Sequence, residues 1–267
     1  MTHLRERPET APDAILEAMA NEIGAGARLR VVAIDGPVAS GKTVIGKAVA
    51  ERLDWPMLDT GIMYRALTWA AIERGLFPDG GAPDPAALVG LAREVKLTVG
   101  TPSDGSPETA SIAVDGADAT PHLRSKAVED AVSVVASVPG VRERMVEQQQ
   151  AMAREREMVM VGRDIGTVVA QEALVKIYLD ASDAVRARRR AEQMRASGRR
   201  VTDDEVLNDL RRRDAIDQGR ATAPLRRAGG AVDVDTSGDD LETAIERVLA
   251  IVRRALCDSP ASDGRSA

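Results

Sequence analysis

LRVVAIDGPVASGKTVIGKAVAERL, residues 29–53, decides the fold. Its first seven residues form an almost unbroken apolar run, the pattern of a strand buried on both faces of a parallel sheet. Its last eleven, TVIGKAVAERL (43–53), carry helical periodicity. Between them Gly36-Pro37-Val38-Ala39-Ser40-Gly41-Lys42-Thr43 fits G-x-x-x-x-G-K-[ST], in the strand-then-helix setting that gives the motif its physical meaning. Glycines let backbone N–H groups curl around phosphate oxygens, and the helix N-terminus adds partial positive charge. Lys42 is placed to bridge the outer phosphates of a nucleotide, and Thr43 to ligate Mg²⁺. The bland alternative is a glycine turn carrying a solvated lysine. Regulatory GTPases share this cradle but read guanine through N-K-x-D, and none of the five lysines here (42, 47, 96, 126 and 176) follows an asparagine.

Further along the chain, WPMLDT (55–60) reads as a short strand and IMYRALTWAAIERG (62–75) as a helix stopped by Gly75. After a Pro/Gly-rich connector (77–85), Asp84 followed by Pro85 predicts a helix start. VKLTVG (95–100) and SIAVDG (111–116), separated by a turn-rich spacer, predict an antiparallel hairpin inserted among helices. Helical patterns follow at 124–137 and 141–156, and buried strands at 158–162 and 175–181. Ser182 opens an arginine-studded helix to about Ala196, and residues 197–201 are a break. Thr202-Asp203-Asp204-Glu205 is a capping box. AVDVDTS (231–237) is a last strand, and a helix runs from Asp239 to about Arg254.

Strands alternating with helices predict an α/β core, a parallel sheet covered by helices on both faces, built from residues 28–94, 157–185 and 201–254. Residues 95–156 form the insertion, small, antiparallel-β and helical, and residues 186–200 a short arginine-rich lid. Residues 1–27, polar and proline-containing with one short amphipathic stretch at Ile15, Leu16, Met19 and Ile23, are expected to be a partly disordered extension, and residues 255–267 a disordered tail.

Among 267 residues only Trp55, Trp69, Tyr64, Tyr178 and Phe77 are aromatic, so the core must be aliphatic. No apolar run approaches the ~20 residues needed to cross a membrane. The N-terminus lacks an apolar signal segment, and Cys257 is the single cysteine, so internal disulfides and cysteine-rich zinc sites are excluded. A cytoplasmic location is expected. Net charge is −6, yet thirteen arginines and no lysine fall between Arg186 and Arg227. Arg186, Arg189 and Arg190 share one helical face, as do Arg213, Asp217 and Arg220. Solvated faces are the bland account. Guanidinium, however, grips phosphate as a two-toothed fork. A nucleic-acid-binding surface needs a basic domain with aromatic stacking platforms, and this segment has no aromatic residue.

Asp59-Thr60-Gly61-Ile62-Met63-Tyr64-Arg65 and Gly162-Arg163-Asp164-Ile165-Gly166-Thr167 both follow predicted strands. Strand C-termini gather at the ligand crevice of an open parallel sheet, so both turns should face the cradle. Read alone, Thr60 could equally cap a helix, Arg65 could be a surface arginine, and Arg163-Asp164 could be structural.

Taken in order, ID-GPVASGKT, LDTGIMYRAL, VPGVRERM, GRDIGTVV and RRRDAIDQGRATAPL resemble the bacterial cytidylate kinases, P-loop nucleoside monophosphate kinases, from about Leu29 to Leu249. The resemblance implies phosphoryl transfer from ATP, with Mg²⁺, to cytidine or deoxycytidine monophosphate. It implies that residues 95–156 are the enlarged monophosphate-binding domain. It implies that Thr60, Ser133, Arg142 and Asp164 surround the cytosine ring. Arg65, Arg163 and Arg220 would then hold the acceptor phosphate, with Arg213 and Asp217 near the sugar and Tyr64 also among the CMP-binding residues. Lys42, Arg163, Arg189, Arg190 and Arg220 would carry catalysis, the lid closing over the donor phosphates. The expected partners are these two nucleotides alone, with no nucleic acid, no membrane and a monomeric chain. Another small acceptor, such as uridylate or shikimate, remains the alternative. The sequence departs from the family pattern at Ala39, where a glycine is common, and at Gly219, where asparagine is common. The first change is expected to be harmless and the second to loosen the helix end before Arg220.

Overall fold

A computed structural model describes residues 29–78, 82–100, 110–196 and 198–258. The expectations for residues 1–27, for the spacer at 101–109 and for the tail beyond Asp258 lie outside them. Among the described residues, five parallel strands form one sheet in the order β2-β6-β1-β7-β8: β1 (Leu29–Asp35), β2 (Met57–Asp59), β6 (Met158–Gly162), β7 (Ala173–Asp180) and β8 (Val232–Asp235). Asp35 lies in register with Gly162 on one side and Tyr178 on the other, so the C-terminal ends of β1, β6 and β7 open at one edge. The chain leaves β1 for one flank and later fills the other, which puts the topological switch, and hence the crevice, at the end of β1.

Both faces of β1 are buried, as its apolar run requires. Val32 and Ile34 pack with α1 (Lys42–Leu53) and α8 (Leu241–Asp258), through Ile45, Val49, Val248 and Leu249. Val31 and Ala33 face the other way, into a larger cluster with α2 (Gly61–Glu73), α3 (Pro85–Glu94) and α5 (Pro139–Glu155), through Met63, Leu67, Leu91 and Met145. A second, antiparallel sheet is built from β3 (Leu97–Gly100), β4 (Ser111–Val114) and β5 (Ala117–Asp118), followed by α4 (Lys126–Val135). A third, small cluster joins α6 (Asp183–Ala196) to α7 (Asp203–Gly219) through Ala187, Ala191, Val206 and Leu210. Among the described residues no helix is long and apolar enough to cross a membrane.

Several boundaries differ from expectation for local reasons. SIAVDG is not one strand: Asp115 and Gly116 take φ of +51° and +86°, a two-residue hairpin turn that starts β5. An Asp-Gly pair is the strongest short-range signal for such a turn. Helix α5 begins at Pro139 itself, because proline suits the first helical position. Helix α8 continues past Arg254 to Asp258. Residues Ile165–Val169, within a segment with no assigned element in the sequence reading, form a π-helical turn. The capping box is present as predicted, with Thr202 and Glu205 bonding each other's backbone.

Candidate active site

The cradle leaves β1 through Gly36, whose φ is +154°, and a Cβ there would lie 2.0 Å from the Leu179 carbonyl oxygen. Gly41, at φ +96°, turns the chain into α1. That helix has no side-chain cap and no acidic residue in its first turn, so its N–H groups and positive dipole end remain available to an anion. Ala39 sits at φ +61°, a left-handed conformation that costs an L-residue about 1–2 kcal/mol. The alanine is therefore a strained choice, and its side chain is used: it packs on the α6–α7 cluster. Lys42 is buried and donates to the Pro37 carbonyl at 2.5 Å and to Ser40 Oγ at 3.2 Å. Burial, reinforced by the nearby Arg163 charge, holds it well below the usual lysine range.

Thr43 Oγ1 donates to Asp59 Oδ2 at 2.8 Å, and both residues border the same cavity. Sequence reasoning quoted Asp59 without giving it a role. Two hard oxygen donors side by side next to a phosphate cradle suit Mg²⁺, which takes few protein ligands and completes its shell with water and phosphate. Asp35, also passed over, lies buried at the end of β1 and accepts from the N–H groups of Ile165 and Gly166, each at 2.8 Å. Burial raises its carboxyl to about 6 against the pull of those two donors. It thereby ties the Gly162–Thr167 turn to the strand that carries the cradle.

A cavity of about 1280 Å³ joins the two halves of the site. All ten residues expected on the acceptor side border it: Thr60, Tyr64, Arg65, Ser133, Arg142, Arg163, Asp164, Arg213, Asp217 and Arg220. So do Val38, Ala39, Gly41, Lys42, Thr43, Arg189 and Arg190, whereas Gly36, Pro37 and Ser40 do not. Eleven basic side chains and six carboxylates line this space, so an acidic protein focuses positive charge at one place.

Thr60 does not cap α2; its hydroxyl donates to the Val161 carbonyl at 3.0 Å, while Asp59 Oδ1 accepts from the Gly61 N–H. Arg65 is not a surface residue. It donates to the Leu123 carbonyl at 3.1 Å, and burial lowers it to about 10. Arg142 and Asp164 form a buried ion pair at 2.5 Å, with the guanidinium 5.3 Å from the Tyr64 ring centre. Arg163 donates to the Gly36 carbonyl at 2.8 Å and to Asp217 at 2.7 Å, and the second oxygen of Asp217 holds Arg220. Arg213 makes no ion pair among the described residues, and burial lowers it, as it does Arg220. The Nε atoms of Arg142, Arg213 and Arg220 are buried donors without a partner. Such groups are costly unless an acceptor arrives.

Arg186, Arg189 and Arg190 of α6 each meet protein groups. Arg186 is buried against Asp214 and Asp183. Arg189 holds Thr236 through its hydroxyl and carbonyl. Arg190 pairs with Glu129 of α4 at 2.7 Å. Gly219 has open space where a Cβ would go and no positive φ, and Arg220 is fixed by its ion pair with Asp217, so the glycine is not needed for placement. Gly219→Ala is expected to stabilise the fold by about 0.5–1 kcal/mol. That should raise the melting temperature by about 2 °C with an unchanged KM for the acceptor.

The family model for cytidylate kinase matches residues 32–254. The chain belongs to the cytidylate kinase family. The cytidylate kinase of Geobacillus kaustophilus is 43% identical over 225 residues, which covers 84% of this chain and 97% of that protein. The cytidylate kinase of Rhodococcus jostii is 43% identical over 223 residues, covering 83% and 94%. A bifunctional pantoate ligase/cytidylate kinase of Gloeobacter violaceus is 40% identical over 227 residues, covering 85% of this chain and 43% of that one. The fold, the cavity and the family agree on a phosphotransferase.

Proposed function

We propose that this enzyme transfers the terminal phosphoryl group of ATP to cytidine monophosphate, and to its deoxy counterpart, within the one cavity described above. The observation that carries the reading is that Lys42 and the α1 N-terminus share one cavity with Arg65, Arg163, Arg213 and Arg220. Two anionic nucleotides meeting end to end need such a positive floor and wall. A nucleotide phosphate has a second pKa of ~6, so the acceptor is already largely dianionic near neutral pH and no general base is required. Catalysis reduces to alignment, exclusion of water and cancellation of charge on the moving group. Lys42 meets the donor phosphates, and Arg163, bonded to the Gly36 carbonyl, links the cradle to the acceptor phosphate. Arg65, Arg213 and Arg220 complete the acceptor grip. Thr43 and Asp59 would hold Mg²⁺, which when bound with ATP offsets charge on the bridging oxygens.

Cytosine offers an amine and a ring carbonyl. Asp164 accepts from the first and Arg142 donates to the second, while Thr60 and Ser133 border the ring and Asp217 the sugar. Uracil would set a carbonyl against Asp164 and leave the carboxylate without a donor. Residues 95–156 serve as the acceptor domain and residues 186–200 as the lid; the protein works as a cytoplasmic monomer. An acceptor panel with ATP and Mg²⁺ tests this. Cytidine and deoxycytidine monophosphates should turn over far faster than uridine monophosphate or shikimate, and equal rates across the panel would overturn the base assignment.

A further inference from the structure

The α6–α7 hairpin meets the phosphate cradle at two adjoining peptide groups. The N–H of Val38 donates to Asp214 Oδ1 at 3.2 Å, and its carbonyl accepts from Arg186 Nη1 at 3.0 Å. Asp214 belongs to α7 and Arg186 to α6. The two side chains bond each other at 2.5 Å, and Arg186 also donates to Asp183 at 2.6 Å and, through Nε, to the Ala181 carbonyl at 3.1 Å. Both residues are buried, at 5% and 7% exposure. Every nitrogen of the Arg186 guanidinium is engaged in this way, so it is not a group waiting for phosphate. Asp214 and Asp183 keep it charged despite the opposing effect of burial.

If this pair only held the hairpin together, it would not need the cradle. The ion pair and the Ala187–Leu210 cluster already join α6 to α7. The bonds to Val38 do something else. Peptide groups are planar and here trans. Fixing the Val38 N–H therefore fixes the direction of the Pro37 carbonyl in the same plane, and that carbonyl is the seat of Lys42 Nζ. Fixing the Val38 carbonyl likewise sets the direction of the Ala39 N–H on the far side of its peptide. The side chains of Val38 and Ala39 complete the junction by packing on the hairpin cluster. The strained φ of Ala39 is held at this joint.

We propose that Arg186 and Asp214 are positioning residues for the phosphoryl donor: by gripping both polar groups of Val38, they couple docking of the α6–α7 hairpin to the shape of the cradle. This rests on the reading of the cavity as a kinase site. Neither residue touches substrate. Because coupling is reciprocal, ATP should favour the docked hairpin as much as the docked hairpin favours ATP.

Two variants and one measurement on the unaltered enzyme test it. Asp214→Asn removes the charge that holds Arg186, and Arg186→Met removes the guanidinium. In each, titration with ATP and Mg²⁺, without acceptor, is expected to show affinity lower by ~5- to ~150-fold. The KM for cytidine monophosphate should not change. A lowered melting temperature with ATP affinity intact, or equal losses for both substrates, would mean a merely structural pair and overturn the proposal. Should neither variant fold, amide hydrogen exchange on the unaltered chain decides. ATP alone should slow exchange in residues 38–41 and in α6 and α7 together. Protection confined to the cradle overturns it. ATP affinity and amide exchange are read without acceptor, so a wrong acceptor assignment would surface separately, in the panel.

Discussion

Lys42→Ala is expected to lower turnover by at least ~10²-fold while leaving the fold at least as stable as before. The two halves of this expectation have one cause. Lys42 is buried, resting on the Pro37 carbonyl and Ser40, with Arg163 adding like charge. Its charged form is disfavoured in the folded chain relative to the unfolded one. Protonated Lys42 therefore costs stability below its unfolded pKa, and that cost fades only as pH rises toward that value. Removing it relieves the fold. The arrival of a triphosphate reverses the balance, because opposite charges in a low-dielectric cavity attract strongly and without reorganisation. Steady-state rates and thermal melts of both proteins check this. Near-normal turnover would show an idle cradle; a collapse in melting temperature would show that Lys42 is structural.

The fold was legible because its deciding features are local. An apolar run, a glycine turn and an amphipathic helix specify a buried strand, a cradle and α1 within 25 residues, and strand–helix alternation supplies the rest of the sheet. Less legible was structure that depends on partners distant in sequence. Met57–Asp59 pairs with β6 only over three residues, so β2 is shorter than WPMLDT suggests. The π-helical turn at Ile165–Val169 depends on Asp35, 130 residues earlier, for its first two N–H bonds. No periodicity can announce such a contact.

The site shows the same division. Lys42, Thr43 and the crevice-facing turns followed from motif and topology. The resemblance to a known family, rather than any property of the residue, singled out Ser133, which lines the cavity from an ordinary amphipathic helix. In the arginine-rich segment, spacing along a helix says which side chains share a face and not what that face meets. Arg186 faces Asp214, Arg189 faces Thr236 and Arg190 faces Glu129. Asp59 could have been found from its place at a strand end beside the cradle; its bond to Thr43 could not.

Asp164→Ala is expected to damage preference and stability together, and the two losses are separable. Asp164 and Arg142 are buried at 2.5 Å from each other, so truncating the carboxylate leaves a guanidinium in the interior without its anion. Removing one partner of a buried pair costs about 3–5 kcal/mol, enough to lower the melting temperature well below that of the parent. The carboxylate is also the acceptor for the cytosine amine in the proposed pose. A hydrogen bond to a charged group contributes about 1.5–3 kcal/mol, so the preference for cytidine over uridine monophosphate, as a ratio of kcat/KM, should fall by ~10- to ~100-fold. Combining Asp164→Ala with Arg142→Met removes both charges and fills the space with an apolar side chain, a replacement often neutral for folding. The double variant should therefore regain much of the lost stability and none of the lost preference. If preference returns along with stability, the pair supports the pocket without reading the base; if preference never changes, Asp164 does not face the cytosine amine.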